Sequence, residues 1–274
     1  MSRDRAEKKR CTAVILAGGS GSRMQSDVAK QFMLLDGKPI LWYSLKAVQQ
    51  SEIIDDCILV AGRKDTDGGP AEELDYVRRE IVEKYGFTKV VAMVAGGLER
   101  CWSVENAMAL IRDLKGQGGI LDKVGYVFIH DSARPFLTED ILLRTYEAVQ
   151  QYHACVAAMP SKDTVKLADG EGFAASTPNR NCVWTIQTPQ VFDADLITEA
   201  YKKLSLLYRM PESQSGHSQP CTSGLSESGP PVTDDASIVE RFTDIKVKLV
   251  EGSYRNIKIT TPEDMKIAEA LLKQ

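Results

Sequence analysis

The fold of this chain is decided by the stretch Thr12-Ala13-Val14-Ile15-Leu16-Ala17-Gly18-Gly19-Ser20-Gly21-Ser22-Arg23-Met24, close to its start. An apolar run that ends in small residues predicts a buried strand over Thr12–Ala17, followed by a glycine loop. Because glycine has no Cβ atom, the backbone N–H groups of such a loop can approach an anion closely. Arg23 and Lys30 add two cations after the strand, and we therefore predict a phosphate-binding site here. The alternative is a strand-to-helix turn without a ligand, since glycine-rich turns are common in α/β folds.

The composition is typical of a folded globular protein with one large α/β domain. The chain has 274 residues, of which 43% are hydrophobic and 26% are charged, and these values exclude wholesale disorder. The formal net charge of −4 gives no overall attraction to nucleic acid, so an anionic ligand must be held by a local cluster of Arg and Lys. No run reaches the roughly 18 apolar residues that span a bilayer, and we expect no membrane partner.

The six cysteines lie far apart and include no Cys-x-x-Cys pair. This spacing is typical of free thiols, which pack as small apolar side chains, rather than of a structural zinc site. The apolar segment that follows the basic start of the chain is too short for the core of a signal peptide. We therefore expect a reduced, cytoplasmic protein.

Strand-like runs alternate with helical patterns over the first 160 residues. Strands are expected at Thr12–Ala17, Cys57–Ala61, Lys89–Val94, Tyr126–His130 and Ala154–Met159, and helices are expected to open at Pro39, near Glu72, near Glu99 and near Thr138. Such alternation predicts an α/β fold with a doubly wound, mainly parallel sheet and helices on both faces. Ligands bind at the carboxyl edge of such sheets, which is where the glycine loop lies.

Two segments interrupt this single domain, which we place at residues 12–274 after a basic, flexible tail over residues 1–11. From about residue 160 to 184 the chain has no helical period and too little apolar content for a core, which predicts an arm that packs on another subunit. From about residue 211 to 231 it is rich in Ser, Gly and Pro. Such sequence cannot bury enough apolar surface to offset the entropy of ordering, and we expect a disordered insertion there.

The last 40 residues return to regular patterns. Thr233-Asp234-Asp235-Ala236-Ser237 predicts the capped start of a helix, and Pro262 predicts the start of a terminal helix. Short strands are expected between them, at Val247–Val250 and Ile257–Thr260.

A second polar cluster, His130-Asp131-Ser132-Ala133-Arg134-Pro135, follows the fourth predicted strand. A carboxylate at the end of this strand would share an edge with the glycine loop and could hold Mg²⁺ on the phosphates of a nucleotide. Asp131 is therefore the metal candidate, and the alternative is that it caps a turn and pairs with Arg134. We interpret His130 as a packed strand-end residue rather than as a catalytic base.

Lys258 places a charge between two isoleucines in a strand-like run. Asn256 and Thr260 make its surroundings polar, so a substrate phosphate is one partner for its ammonium. The alternative is that the side chain extends from an exposed face into solvent.

Seven motifs occur in one order along the chain. They are Leu16-Ala17-Gly18-Gly19-Ser20-Gly21-Ser22-Arg23-Met24 with Lys30-Gln31, His130-Asp131-Ser132-Ala133-Arg134-Pro135, Asp163-Thr164-Val165-Lys166, Asn179-Arg180-Asn181, Gln187-Thr188-Pro189-Gln190, Thr233-Asp234-Asp235-Ala236-Ser237 and Asn256-Ile257-Lys258-Ile259-Thr260. Together they resemble the 2-C-methyl-D-erythritol 4-phosphate cytidylyltransferases, CTP-using enzymes of the non-mevalonate isoprenoid pathway. The chain departs from that family at Leu98 and Arg255, where family members often carry acids.

This resemblance implies a Rossmann-like nucleotidyltransferase fold with a protruding dimerisation arm, and a homodimer with Mg²⁺ as cofactor. The implied reaction transfers CMP from CTP to a polyol phosphate, 2-C-methyl-D-erythritol 4-phosphate, and gives 4-diphosphocytidyl-2-C-methyl-D-erythritol and pyrophosphate. Two alternatives stay open. One is a ribitol-5-phosphate cytidylyltransferase, and the other is a non-catalytic nucleotide-binding protein on the same fold.

The resemblance also implies roles for individual residues. Arg23 and Lys30 would bind the triphosphate and stabilise the charge that develops at the α-phosphorus, while Arg180 and Lys258 would position the substrate phosphate. The nucleotide would be cradled by Ala17, Gly18, Gly19, Gly21, Gly97 and Ser103. The substrate would contact Asp131, Arg134, Thr164 and Thr188, with Asp131 also beside the metal.

Overall fold

A seven-stranded sheet lies between two layers of helices in the computed structural model, which describes residues 8–18, 29–62, 69–208 and 232–273. The strands are β1 (Arg10–Leu16), β2 (Leu34–Leu35), β3 (Lys38–Pro39), β4 (Asp56–Ala61), β5 (Val90–Ala95), β6 (Val124–Asp131), β7 (Ala154–Pro160), β8 (Leu167–Ala168), β9 (Ala174–Ser176), β10 (Trp184–Asp193) and β11 (Lys248–Glu251). The helices are α1 (Ile40–Gln50), α2 (Gly69–Val77), α3 (Arg100–Leu114), α4 (Glu139–Tyr152), α5 (Ala194–Tyr208), α6 (Asp235–Phe242) and α7 (Pro262–Leu272). Gly19, Gly21, Arg23 and the predicted insertion over residues 211–231 lie outside the described residues.

The large sheet confirms the predicted fold class. Its strand order is β11-β7-β10-β6-β1-β4-β5, and every neighbouring pair is parallel except the two pairs that β10 makes with β6 and β7. From β1 the chain proceeds through β4 to β5 on one side and then returns to place β6 on the other side. This reversal creates a crevice between the carboxyl ends of β1 and β6, which is where doubly wound sheets bind ligands.

Strand β1 shows why the apolar run in the sequence is continuous. Val14 packs in the core on one face of the sheet, together with residues of α3 and α5. Ala13 and Ile15 point to the opposite face and pack with residues of α1 and α4. Because helices cover both faces, the side chains that point to either face are buried, and the strand needs apolar residues at successive positions.

The predicted elements are mostly present with small shifts at their ends. The five predicted strands correspond to β1, β4, β5, β6 and β7, each ending within two residues of the expected bounds. The predicted capped start of α6 is confirmed, because Asp234 forms a capping box with Ser237. The terminal helix α7 starts at Pro262 as predicted, and Thr261 forms a further capping box with Asp264. Reciprocal bonds of this kind satisfy backbone N–H groups that have no partner within the helix.

One predicted strand is absent, and one observed strand was not predicted. The predicted strand Ile257–Thr260 is wrong, since this segment pairs with no strand. Its backbone bonds are from Ile257 N–H to Arg255 O at 2.8 Å and from Ile259 N–H to Ala133 O at 2.9 Å. Strand β10 was not among the predicted strands, and its Pro189 is a residue that sheets rarely contain away from edges and bulges. Trp184–Ile186 pairs with β7, and Gln190–Phe192 pairs with both β6 and β7, which makes this segment a strand with an irregularity at Pro189.

The segment from about residue 160 to 184 is the predicted excursion from the domain. Strands β8 and β9 form a small antiparallel hairpin, and every residue of both strands is exposed. Leu167 is 54% exposed and Phe173 is 68% exposed. The hairpin therefore has no core of its own, as its composition predicted.

The cysteines depart from the expectation at one position. Cys11, Cys57, Cys155 and Cys182 are free thiols, whereas Cys101 is in a disulfide. The expectation of a fully reduced chain is thus wrong at Cys101, because separation along a sequence does not determine separation in the fold. Within the described ranges, no helix is long and apolar enough to cross a membrane.

Candidate active site

The carboxyl ends of four neighbouring strands are joined at one edge of the sheet. Ala17 N–H, just after β1, donates to Val60 O at 2.7 Å, and Ser132 N–H, just after β6, donates to Leu16 O at 3.0 Å. Gly18 lies beside Gly96, so that a Cβ atom on Gly18 would stand 3.6 Å from the Cα atom of Gly96. The glycine loop therefore starts at the predicted edge, in contact with the loop that follows β5.

The turn from β5 into α3 brings two further nucleotide-binding candidates to this edge. A Cβ atom on Gly97 would approach Cβ of Trp102 to 2.4 Å, which no side chain at position 97 can avoid. The hydroxyl of Ser103 accepts a hydrogen bond from Gly97 N–H at 3.0 Å and donates to Glu99 O at 3.1 Å. Gly97 and Ser103 thus form one rigid turn next to Gly18.

Asp131, the last residue of β6, is held by two cations. Its Oδ1 atom accepts from Nε of Arg100 at 3.1 Å, and its Oδ2 atom accepts from Nζ of Lys258 at 2.7 Å. Burial alone would raise the pKa of Asp131, but Arg100 and Lys258 outweigh this effect and hold the pKa well below its usual range. The alternative prediction was that Asp131 caps a turn and pairs with Arg134. The turn is present, since Arg134 N–H donates to Asp131 O at 3.0 Å, but the Asp131 side chain pairs with Arg100 and Lys258.

Arg100 is the residue of the site that the sequence analysis missed. It begins α3, and its guanidinium binds both carboxylate oxygens of Asp235 at 2.9 and 2.7 Å while its Nε–H reaches Asp131. Arg100 follows Gly96-Gly97 at a predicted strand-to-helix turn on the ligand-binding edge. That position is the sequence signal that could have identified it.

Arg134 holds the segment that carries Lys258 against the sheet. Its Nη1 donates to Asn256 O at 2.8 Å, and its Nη2 donates to Ile186 O at 3.3 Å. The side chain of Asn256 in turn donates to Thr188 O at 2.8 Å. The motifs around residues 134, 188 and 256 are therefore joined by hydrogen bonds, and the segment that follows Asn256 places the ammonium of Lys258 against Asp131.

His130 and Thr188 form hydrogen bonds with the backbone of the loop that begins at Asp131. The Thr188 hydroxyl accepts from Asp131 N–H at 3.1 Å and lies 2.9 Å from His130 Nδ1, while His130 Nε2 lies 3.1 Å from Arg134 O. Burial lowers the pKa of His130 to about 4. The imidazole is thus neutral near pH 7, donates from Nε2 to the carbonyl and accepts from Thr188, which confirms its interpretation as a packed strand-end residue.

The remaining predicted site residues are in different parts of the molecule. Lys30 begins the short helical turn Lys30–Phe32, immediately after the part of the loop that is not described. Thr164 and Arg180 are exposed residues of the excursion over 160–184. Within the described part of the chain, no hydrogen bond or ion pair joins either of them to Asp131 or Lys258.

The described residues contain no group of three or more His, Cys, Asp or Glu side chains that could enclose a metal ion. Asp131 is a single carboxylate on the ligand-binding edge. One or two carboxylates are sufficient for a magnesium ion that is coordinated mainly by substrate phosphates and water. The donor set therefore fits Mg²⁺ carried by a nucleotide, and it does not fit a cage made by the protein alone.

The crevice has glycine backbone on one wall and the ammonium of Lys258, oriented by Asp131, on the other. A doubly wound sheet with this polarity at its switch point is typical of nucleotide-binding α/β proteins. A family model described as 2-C-methyl-D-erythritol 4-phosphate cytidylyltransferase matches residues 11–210 and 217–274. The chain belongs to this family.

Individual relatives agree with the family match. Proteins of the same description from Lachnospira eligens and Lachnoclostridium phytofermentans are 45% and 41% identical to this chain, covering 96% and 97% of it and 99% and 97% of their own lengths. Among solved structures, the chain is similar to 4-diphosphocytidyl-2C-methyl-D-erythritol synthase from Anaerococcus prevotii, with a TM-score of 0.72 and 33% identity over 98% of this chain and 100% of that one. The Rossmann-like nucleotidyltransferase fold is thereby confirmed.

Proposed function

We propose that this protein transfers CMP from CTP to 2-C-methyl-D-erythritol 4-phosphate, giving 4-diphosphocytidyl-2-C-methyl-D-erythritol and pyrophosphate. Membership of the family supports this reaction. The observation that carries it is the Lys258–Asp131 pair at 2.7 Å, on the edge where the glycine loop begins. An oriented ammonium opposite a phosphate-binding loop is suited to bringing two phosphates together.

The reaction is an in-line displacement in which a phosphate oxygen of the acceptor attacks the α-phosphorus and pyrophosphate leaves. A phosphate monoester is already anionic near pH 7, so the reaction needs no general base, and a neutral, fully engaged His130 is consistent with this chemistry. The protein contributes positioning and electrostatic stabilisation. Arg23 and Lys30 are assigned to the charge that develops on the transferred phosphoryl group.

Lys258 is assigned to the phosphate of the acceptor. An ammonium has three N–H donors, and the Asp131 carboxylate engages one of them. The other two remain directed by this bond and can donate to phosphate oxygens. Arg134 supports the arrangement by holding the backbone of Asn256, and Thr188 supports it by holding the backbone of Asp131.

Nucleotide binding is assigned to the loop after β1 and the turn before α3. The residues are Ala17, Gly18, Gly19, Gly21, Gly97 and Ser103, of which the four described ones lie on the same edge of the sheet. Asp131 would hold Mg²⁺, which when bound neutralises charge on the triphosphate and favours the departure of pyrophosphate.

A homodimer completes the proposal. Thr164 and Arg180 are on the exposed excursion, and no hydrogen bond or ion pair of the described residues ties them to the site of their own chain. Exposed Leu167 and Phe173 on the same excursion suit burial against a second copy. The excursion is then a dimerisation arm that brings Thr164 and Arg180 to the partner's site.

A cytoplasmic location is proposed for the same enzyme. The free thiols support a reducing compartment, including that of Cys182, which is exposed. The disulfide at Cys101 is evidence in the opposite direction. Fractionation of the source cells, with the protein detected by antibody, tests the location directly.

The reaction is tested by pyrophosphate release from CTP and Mg²⁺ with each acceptor in turn. Release with 2-C-methyl-D-erythritol 4-phosphate, together with a product of the mass of the CDP-alcohol, is expected. Faster release with ribitol 5-phosphate would transfer the assignment to that acceptor. CTP binding without release for any acceptor would identify a non-catalytic nucleotide-binding protein.

A further inference from the structure

Five side chains form a continuous polar chain from the protein core to the candidate active site. In order they are Tyr201, Asp235, Arg100, Asp131 and Lys258. Tyr201 donates from its hydroxyl to Asp235 Oδ1 at 2.6 Å, and Arg100 then links Asp235 to Asp131. The side chains of Asp235 and Tyr201 are fully buried, whereas that of Lys258 is 37% exposed. The chain thus connects α5 and α6 to the site through the first residue of α3.

The geometry of Arg100 determines the direction of its bond to Asp131. A guanidinium is planar, and two parallel bonds to one carboxylate fix the orientation of that plane. Nη1 and Nη2 each donate one bond to Asp235. With the plane fixed in this way, the Nε–H is held in one direction, toward Oδ1 of Asp131. Lys258 occupies Oδ2, so both oxygens are held and the carboxylate cannot rotate.

The buried charge of Asp235 requires hydrogen-bond partners inside the protein. A fully buried carboxylate such as Asp235 is stable only when its oxygens are paired, and a cation and a hydroxyl supply the partners. Among the described residues, the Asp235 carboxylate accepts hydrogen bonds from the Arg100 guanidinium and from the Tyr201 hydroxyl, which is uncharged. Its hydrogen bond stabilises part of the negative charge on Asp235 and thereby affects how strongly Asp235 attracts Arg100.

We propose that Tyr201 and Asp235 are positioning residues for the cytidylyl transfer reaction, acting through Arg100 to fix the carboxylate of Asp131 and, through it, the ammonium of Lys258. This inference rests on the proposed function for its catalytic consequence. It assigns to the Asp235 position of the Thr-Asp-Asp-Ala-Ser motif a role beyond starting a helix. Neither Tyr201 nor Asp235 touches the reacting groups.

The start of α6 is held by hydrogen bonds that do not involve Asp235, so its substitution can be tested without displacing the helix. Gln190 donates to Asp234 Oδ2 at 2.9 Å and accepts from Ala236 N–H at 2.9 Å, and Asp234 caps the helix through Ser237. These bonds do not involve the side chain of Asp235. The variants Asp235→Asn and Tyr201→Phe therefore keep the helix in place and remove only the charge or the hydroxyl.

The experiment measures kcat with CTP, Mg²⁺ and 2-C-methyl-D-erythritol 4-phosphate for both variants and for the control Tyr208→Phe. Tyr208 is on the same helix as Tyr201, and its hydroxyl accepts from Arg241 at 3.2 Å, away from the chain of contacts. We expect kcat to fall about tenfold or more for Asp235→Asn and severalfold for Tyr201→Phe, from the loss of hydrogen bonds to charged groups. Tyr208→Phe keeps the wild-type kcat.

A purely structural role is separated by combining Asp235→Asn with Asp131→Asn. If Asp235 acts through Asp131, its substitution lowers kcat no further once the Asp131 carboxylate is gone. Independent losses that multiply in the double variant overturn the proposal, as does a wild-type kcat in both Asp235→Asn and Tyr201→Phe.

The same double-variant cycle in urea unfolding separates this proposal from the proposed function. We expect the unfolding equilibrium constants of Asp235→Asn and Asp131→Asn to be coupled by about tenfold, because both share Arg100. Additive effects would overturn the network even if the enzyme is active. If the two substitutions are coupled in unfolding but the wild-type protein transfers no CMP, the network stands and the proposed function is overturned.

Discussion

At the scale of single residues, the site depends on charges that are held in place before any ligand arrives. Asp131 and Lys258 meet at 2.7 Å, and the buried neighbours of Asp131 are hydrogen-bonded to one another. Preorganised charge of this kind stabilises a transition state without further rearrangement. The consequence is that single substitutions here affect turnover more than they affect the fold.

Lys258→Met is the sharpest substitution at this scale. It keeps much of the apolar stem and removes the ammonium, and we expect kcat to fall by about 100-fold or more, because one fixed positive charge is lost from the transition state. The matched control is Lys248→Met on β11, a lysine whose ammonium lies over the ring of Tyr152 at 5.3 Å. Steady-state assays of both variants provide the measurement, and equal activity in the two would remove Lys258 from the catalytic residues.

His130 predicts how the stability of the ligand-free protein depends on pH. Burial lowers its pKa to about 4 in the folded state, compared with about 6.5 in the unfolded chain. Between these values the unfolded chain binds the proton and the folded protein does not, so folding is progressively disfavoured as the pH falls from about 6.5 to about 4. The full effect on the free energy of unfolding is about 3 kcal/mol.

This pH effect is measured by urea unfolding of the protein and of His130→Asn across that range, without added divalent metal. The variant has no imidazole, and its free energy of unfolding should fall less steeply with decreasing pH. Parallel pH dependences for the two proteins would show that another group is responsible.

At the scale of elements, the side chain of Lys89 binds backbone carbonyls at the end of α1 and in the loop that follows it. Nζ of Lys89 donates to the carbonyl oxygens of Val48, Ser51 and Ile54 at 3.2, 2.5 and 2.6 Å. The last carbonyls of a helix have no partner within it, and a cation there also interacts favourably with the helix dipole. Lys89 precedes β5, so this contact lies at the opposite edge of the sheet from the site.

We expect Lys89→Met to lower the free energy of unfolding by about 1–3 kcal/mol, because it removes the ammonium that donates to three part-buried carbonyls. The kcat should be unchanged, since the altered contact lies at the other edge of the sheet. Lys84→Met is the control, as Lys84 pairs with Glu80 on an exposed helical surface and should leave the stability unchanged. Thermal and urea unfolding give the comparison, and equal stability of the two variants would rule out a capping role.

At the scale of the whole molecule, the question is how many chains build one site. The candidate residues include Asp131 and Lys258 on the sheet edge, and Thr164 and Arg180 on the exposed excursion over 160–184. In the proposed homodimer, each site combines the edge of one subunit with the arm of its partner. A two-fold dimer then has two such composite sites.

Mixing two inactive variants tests this arrangement. In a heterodimer of Arg23→Ala and Arg180→Ala, one composite site carries both defects and the other is intact. Random exchange makes about half of the dimers mixed, so roughly a quarter of all sites should regain activity. Native mass spectrometry confirms the exchange, and mixed dimers without recovered activity would mean that the arm serves its own subunit.

The sequence by itself determined the strands with continuous apolar runs, the doubly wound architecture, the edge of the sheet at which the glycine loop begins and the structural role of His130. These features depend on local patterns, namely hydrophobic periodicity, glycine turns and helix caps, which act over a few residues. The family resemblance added the motifs around Asp131 and Lys258, and the family match and the geometry of this edge agree with it. The roles of Arg23, Lys30, Thr164 and Arg180 remain predictions.

Only the tertiary structure decided that Trp184–Asp193 is an antiparallel strand, that Ile257–Thr260 is not a strand, and that Arg100 joins Asp235 to Asp131. Each of these depends on partners far away in the sequence. A strand requires neighbours that complete its hydrogen bonds, and β10 finds them in β7 before Pro189 and in β6 and β7 after it. The charge of Arg100 acquires its function only where folding brings together two carboxylates separated by about 100 residues, a proximity that no local pattern encodes.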